Sequence, residues 1–269
     1  MEILVALLVV TAVGVLAGII LVLANKFFYV PEDETAKKIR ECLPGVNCGA
    51  CGFTGCDDYA KALAQGITKP DLCIPGSTDT AAAISEILGV KVEKPEELVA
   101  VVKCNGNCFA TTKKAIYDGV NSCEAQSMIY GGSGGCNYGC VGCGDCASSC
   151  PVGAITIKDG IAFVDTRICI GCGLCARNCP KNVIELVEKN RRHLVLCNNK
   201  DKGATARKVC KNACIGCKKC ELNCPQKAIN VKDNLAVIDY SLCKDCGICA
   251  DNCPTKCIKK VDLYTAVLN

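Results

Sequence analysis

Cys140-Val-Gly-Cys143-Gly-Asp-Cys146-Ala-Ser-Ser-Cys150-Pro151 is the stretch that decides the fold. It returns as Cys169-Ile-Gly-Cys172-Gly-Leu-Cys175-Ala-Arg-Asn-Cys179-Pro180. It returns again as Cys214-Ile-Gly-Cys217-Lys-Lys-Cys220-Glu-Leu-Asn-Cys224-Pro225 and as Cys243-Lys-Asp-Cys246-Gly-Ile-Cys249-Ala-Asp-Asn-Cys253-Pro254. All four share the spacing C-x2-C-x2-C-x3-C-P. Within each pair the blocks lie 29 residues apart, and the first pair recurs as the second at an offset of 74 for all eight cysteines. The text between blocks repeats too, AITIKDGIAFVDTRIC beside AINVKDNLAVIDYSLC. Its alternation around Lys-Asp-Gly and Lys-Asp-Asn predicts a short hairpin. A duplicated module follows.

The spacing has a physical reason. A cubane iron–sulfur cluster needs a thiolate at each of four corners. Three cysteines at two-residue intervals on a tight loop reach three of them, and the fourth cysteine leads away to the other cluster of the pair. Proline after it ends the loop and offers no competing N–H. The crossed sets are Cys140, Cys143, Cys146 and Cys179; Cys169, Cys172, Cys175 and Cys150; Cys214, Cys217, Cys220 and Cys253; and Cys243, Cys246, Cys249 and Cys224. Ile155, Ile168, Ile170, Ile215, Ile229 and Ile248 are expected to shield them from water. The pattern resembles two bacterial two-cluster ferredoxins in tandem. Zinc sites, the alternative, use two separated C-x2-C pairs.

Composition agrees. Of 269 residues 28 are cysteine, while only 12 are aromatic and none is Trp. Cores normally draw much of their area from aromatics, so this chain builds its cores around something else. The formal charge of +4 is mild, and no nucleic-acid recognition motif is present. The single histidine, His193, lies in a polar stretch and is expected to be exposed, which leaves no inventory for mixed Cys/His zinc sites.

Residues 3–24 carry no charge, and Thr11 is their only polar side chain. At about 1.5 Å per residue they extend roughly 33 Å, enough for a bilayer core. A signal peptide would show a basic start and a cleavage site, and neither is present. Lys26, Lys37, Lys38 and Arg40 follow, which places the rest of the chain in the cytoplasm, where thiols stay reduced and serve as ligands rather than disulfides.

Behind that segment lies Asn47-Cys48-Gly-Ala-Cys51-Gly-Phe-Thr-Gly-Cys56. A helical period through Tyr59, Leu63 and Ile67 and a turn at Lys69-Pro70-Asp71 lead back to Cys73 as a fourth ligand, although Cys42 also stands nearby and spacing alone leaves the choice open. A zinc knuckle or unrelated thiols are the competing readings. The order of parts, an apolar N-terminus, LPGVNCGACGFTGC, a later Cys-Ile-Pro-Gly and ferredoxin repeats, resembles the B subunits of the Rnf/Rsx family of ion-translocating redox complexes over essentially the whole chain. The resemblance implies that Cys48, Cys51, Cys56 and Cys73 hold a [4Fe–4S] cluster. It also implies that the chain accepts electrons from reduced ferredoxin and passes them to other membrane and cytoplasmic subunits of a complex that reduces NAD+ and moves Na+ or H+.

The expected fold class is α+β: an N-terminal transmembrane helix (1–25), a small helical [4Fe–4S] domain (26–90), a Cys/Gly-rich connecting region (91–136), ferredoxin-like module 1 (137–190), a basic linker (191–210) and ferredoxin-like module 2 (211–269). At least five clusters are expected. Cys104, Cys108, Cys123 and Cys136 form a candidate sixth set, with buried small hydrophobes as the plain alternative. Cys42, Cys197, Cys210 and Cys257 receive no role. The seven Lys/Arg between Lys200 and Lys219 are a solvated linker or a steering surface for an acidic donor. No general base, nucleophile or G-x-G-x-x-G loop is present, so the chain has no hydride-transfer site. The localisation expected is the cell membrane, single-pass, with the bilayer and no nucleic acid as partner. The rivals are an electron-transfer subunit of a hydrogenase or formate dehydrogenase, which should lack the 48–73 block, and a zinc-binding cysteine-rich protein.

Overall fold

The computed structural model describes residues 2–27, 33–90, 97–265 and 267–268; the start of the expected connecting region at 91 lies outside them. Helix α1, Glu2–Phe27, takes up the apolar N-terminus. The described side chains of α1 are those of Leu7, Lys26 and residues 11–24. Among the described residues no helix is long and apolar enough to cross a membrane.

Three helices form the next unit: α2 (Glu34–Cys42), α3 (Cys56–Ala64) and α4 (Ser77–Leu88). Ile39, Leu43, Tyr59, Leu63 and Ile84 make its core. Helix α3 ends earlier than its apolar period suggests. Gly66 turns left-handed at φ 68°, and Ile67 beyond it stands 72% exposed.

Module 1 is closed by β1 (Leu98–Val102), which runs antiparallel to β4 (Ile184–Glu188), with Leu98 opposite Glu188 and Val102 opposite Ile184. Between them lies the hairpin of β2 (Ile155–Lys158) and β3 (Ile161–Val164). Asp159 and Gly160 at its tip both have positive φ, as a two-residue turn of this hand requires. Module 2 repeats the plan. There β5 (His193–Val195) pairs with β8 (Ile258–Asp262), extended by β9 (Val267–Leu268), around the hairpin of β6 (Ile229–Lys232) and β7 (Leu235–Ile238).

The closing strands move the boundaries. Module 1 begins at 98, inside the expected connecting region, and module 2 at 193, inside the expected linker. His193 is accordingly buried at 7% exposure rather than exposed, with its N–H donated to Asp245 Oδ1 at 3.1 Å. Between closing strand and first cysteine block each module carries an insertion, with α5 (Cys123–Met128) in module 1 and α8 (Gly203–Val209) in module 2.

The strands' two faces explain how the modules join. Ala100 and Val102 face the cysteine-lined core of module 1, while Val99 and Val101 face away, the two-residue period of a strand. With Val187 these outer residues meet Leu194, Leu196, Val261 and Leu263 of module 2. Burying such side chains contributes about 1.5–3 kcal/mol each, so the modules are fused back to back through their closing sheets.

Candidate metal centres

Each block folds its loop with left-handed residues at the same three positions. They are Gly142, Gly144 and Gly153 in the first block, Gly171, Gly173 and Asn182 in the second, Gly216, Lys218 and Lys227 in the third, and Asp245, Gly247 and Lys256 in the fourth, all at φ between 50° and 96°. The first two bend the chain around a centre. The third, after Cys-Pro, turns it back so that the next N–H faces the cysteine: Ala154 donates to Cys150 Sγ and Ala228 to Cys224 Sγ, both at 3.3 Å. A one-turn helix follows each loop: α6 (Asp145–Ser148), α7 (Leu174–Arg177), α9 (Lys219–Leu222) and α10 (Ile248–Asp251).

Three crossed sets lie together in full, and the first in part: Cys179 lies near Cys146 and Cys146 near Cys140, while Cys143 lies against Cys123. Cys150 acts on Cys172 and Cys175, beside Cys169. Cys253 acts on Cys214 and Cys220, beside Cys217. Cys224 acts on Cys243 and Cys249, beside Cys246. Burial is the main force on most of these groups, pushing Cys140, Cys146, Cys175, Cys220 and Cys249 up to about 11. Backbone N–H groups oppose it: Ala100 donates to Cys169 Sγ at 3.4 Å, Ala162 to Cys140 Sγ at 3.5 Å and Asp245 to Cys243 Sγ at 3.4 Å. Buried sulfurs ringed by N–H donors suit thiolates held on an iron–sulfur cluster, whose potential such bonds tune. Of the expected shields, Ile155 and Ile229 are buried, whereas Ile168 and Ile248 are exposed at 48% and 37%. These two lie outside the β-hairpins.

Cys73 does return to Cys48, Cys51 and Cys56. Burial raises it to about 11, with Gly76 N–H pulling down and those three thiolates pushing up. The return is held by fully buried Tyr59, whose hydroxyl donates to Lys69 O at 2.7 Å and accepts from Leu72 N–H at 3.3 Å. Cys42, the last residue of α2, packs against the same core but is not among the thiols that act on Cys73. The loop docks on module 1: Arg177 Nη2 donates to Cys48 O at 2.5 Å and Nη1 to Gly49 O at 3.3 Å, and Cys48 lies near Cys172.

The expected sixth set does not assemble. Cys108 is exposed, with its N–H on Asp159 O at 2.8 Å. Cys123 is buried against Cys140, Cys143 and Cys146. Asp145 Oδ2 fixes it there by accepting from Cys123 N–H and Ser122 Oγ, both at 2.9 Å. Cys257 occupies the position held by Ala154, Val183 and Ala228 after the other blocks. Its Sγ lies 3.5 Å from Cys253 Sγ, and its thiol proton makes Cys253 and Cys214 more acidic than an ordinary thiol. Among the described residues no three His, Cys, Asp or Glu side chains stand as a single metal ion requires. A zinc ion would draw its sulfurs to within about 3.8 Å of one another, whereas a cubane carries them on four separate irons.

Family models match three stretches of the chain: a putative Fe–S cluster domain over residues 43–75, and 4Fe–4S dicluster domains over 139–184 and 213–258. A further dicluster match, over 168–229, bridges the second and third blocks. Among curated proteins, the chain is 42% identical to the B subunit of the proton-translocating ferredoxin:NAD(+) oxidoreductase complex of Clostridium ljungdahlii, covering 88% of this chain and 84% of that one. It is 41% identical to the B subunit of the Na(+)-translocating ferredoxin:NAD(+) oxidoreductase complex of Acetobacterium woodii, over 86% and 70%. With the B subunit of the ion-translocating oxidoreductase complex of Methanosarcina acetivorans it shares 36% identity over 87% and 89%.

Proposed function

The chain belongs to the family of B subunits of Rnf-type ion-translocating ferredoxin:NAD(+) oxidoreductase complexes, and from that premise we propose which of its residues carry the electrons and where they are taken up. It is an electron-transfer subunit with 4Fe–4S domains. The twenty cysteines of the five sets each hold a [4Fe–4S] cluster by fours. The observation that supports this reading is the crossing itself: Cys150, Cys253 and Cys224 each lie with the first three cysteines of the partner block, and Cys179 lies beside Cys146 of its own set. A bound cluster supplies one-electron chemistry at low potential. The protein's part is to bend the loops, bury the sulfurs and aim N–H groups at them.

Uptake belongs to module 2. Cys217 and Cys246 are exposed there, beside exposed Lys218, Lys219 and Lys244, a surface that attracts an acidic donor such as reduced ferredoxin. Delivery belongs to the 48–73 domain and the subunits beyond it. Helix α1 anchors the chain in a membrane. Its described large apolar side chains, Leu7, Val13, Leu16 and Leu21 among them, stand 49–70% exposed, a state that calls for lipid or a partner helix. Because residues 3–24 hold no ionisable group, ion translocation falls to other subunits.

The test is anaerobic EPR of the full chain in lipid nanodiscs, mixed with reduced ferredoxin, together with metal analysis. The expected result is about four irons and four sulfides for each set and reduction that slows as salt rises. Zinc without iron overturns the cluster reading. Reduction indifferent to ionic strength overturns the docking surface.

A further inference from the structure

Four cysteines outside the five sets meet in one cavity between the modules. Cys104 ends the run Val102-Lys-Cys104-Asn105 after β1, and Cys197 ends Val195-Leu-Cys197-Asn198 after β5. Cys136 stands four residues before Cys140, and Cys210 four before Cys214, so this pair shares the 74-residue offset of the block cysteines. The hydrogen bonds repeat as well: Cys140 N–H donates to Cys104 Sγ at 3.4 Å and Cys214 N–H to Cys197 Sγ at 3.3 Å. Each module therefore contributes one equivalent pair, and the pairs face each other.

All four side chains line the same open-mouthed cavity. Cys136 lies near both Cys104 and Cys210, and Cys104 lies near Cys197. Two glycines keep the space between the sulfurs clear. A Cβ on Gly106 would stand 3.4 Å from Cys210 Sγ and 3.5 Å from Cys104 Sγ; one on Gly139 would stand 3.6 Å from Cys136 Sγ and 3.7 Å from Cys104 Sγ. Asn199 is 1% exposed, and its Nδ2 donates to Cys136 Sγ at 3.3 Å while its Oδ1 accepts from Asp201 N–H at 2.7 Å. Buried cysteines that merely fill space behave as small hydrophobes and have no use for a buried amide aimed at sulfur. Burial lifts Cys104 and Cys197 to about 11, and the N–H groups of Cys140 and Gly106, and of Cys214 and Asn199, pull them down.

We propose that Cys104, Cys136, Cys197 and Cys210 ligate a further [4Fe–4S] cluster at the junction of the two modules. The proposal rests on the cluster reading of the five motif sets. Loading forms four Fe–Sγ bonds in place of labile water ligands on iron and releases four thiol protons to solvent, with two ferrous and two ferric ions and four sulfides supplied from outside. The site adjoins Cys140 through Cys104 and Cys214 through Cys197, so it joins the ligand sets of module 1 to those of module 2.

The test uses the full chain, reconstituted anaerobically with iron and sulfide, and measures iron, sulfide and zinc. The expected result is about 24 irons in the parent chain and in Cys108→Ser, and about 20 in Cys136→Ser/Cys210→Ser. About 20 irons in all three overturns this site and leaves the other five sets standing, whereas a chain without iron overturns the cluster reading itself. One zinc per chain that disappears with the double substitution also overturns the proposal. If the double variant fails to fold, Asn199→Ala decides, because it keeps every ligand. It should retain full iron and shift the midpoint of one EPR-detected centre while the others stay put. An unchanged set of midpoints overturns the proposal.

Discussion

The two ferredoxin-like modules share a plan and differ in what lies over their ligand loops. In module 1 the loop of the first block is covered by α5, which Asp145 caps through Ser122 and Cys123. The loop of the second block is covered by the 48–73 domain, which Arg177 clamps through Cys48 and Gly49. At the equivalent positions module 2 has Lys219 in place of Asp145 and Asp251 in place of Arg177. Both are exposed, as are the nearby ligands Cys217 and Cys246. Two residue exchanges thus mark a covered module and an open one. On the proposed function, the same cysteine geometry serves as an internal relay where it is capped and as a docking face where it is not.

The strongest way to break this comparison is to delete a ligand at each end. Cys73→Ala should lose about four irons, leaving the reduction of the remaining clusters by ferredoxin unchanged. Cys246→Ala should lose as many and suppress that reduction. Iron analysis and EPR check both, and slowed uptake in Cys73→Ala alone would reverse the assignment of the two ends. Next in size is charge. Lys218→Glu with Lys219→Glu should slow reduction by ferredoxin about tenfold at low salt and little at high salt, while Arg177→Glu leaves the uptake rate unchanged. Stopped-flow rates at two ionic strengths separate the outcomes.

The cysteine blocks are legible because a cubane dictates their spacing and the chain repeats it. Other features are hidden because they are non-local. LVAVV at 98–102 reads as a strand, yet nothing in it names Ile184–Glu188 as its partner. His193-Leu-Val195 is three residues long and follows Arg191-Arg192, so it reads as linker. Ile67 fits the period of α3, and only Gly66 ends the helix before it. The site at the module junction escapes a search for ligands within one segment, because its four thiols come two from each module. A signal is present all the same: Cys136 and Cys210 obey the same 74-residue offset as the eight block cysteines and stand in the same C-x3-C before the first and third blocks.

A third prediction concerns the clamp. Arg177→Ala removes two hydrogen bonds from an exposed side chain to the Cys48 loop, a loss of about 1 kcal/mol. That should speed amide exchange across residues 47–56 about fivefold, with no change in β1–β4. Unchanged exchange would show that other contacts, such as that of Ile74 with the backbone at Gly171, hold the domain in place.

The smallest effect is the most specific to module 2. Cys257 Sγ lies 3.5 Å from Cys253 Sγ, placed to donate to it once Cys253 is a ligand thiolate, whereas the equivalent positions elsewhere are Ala154, Val183 and Ala228, with no side-chain donor. A donor to a ligand sulfur favours the reduced, more negative centre. Removing one bond of about 1 kcal/mol lowers a one-electron potential by about 40 mV. Cys257→Ala should therefore leave the iron content intact and move the midpoint of the Cys214, Cys217, Cys220 and Cys253 centre down by about that amount. Loss of four irons instead would make Cys257 a ligand and displace Cys253 from the set. An unmoved midpoint would make it a space-filling thiol, with module 2 separated from module 1 by its open surface alone.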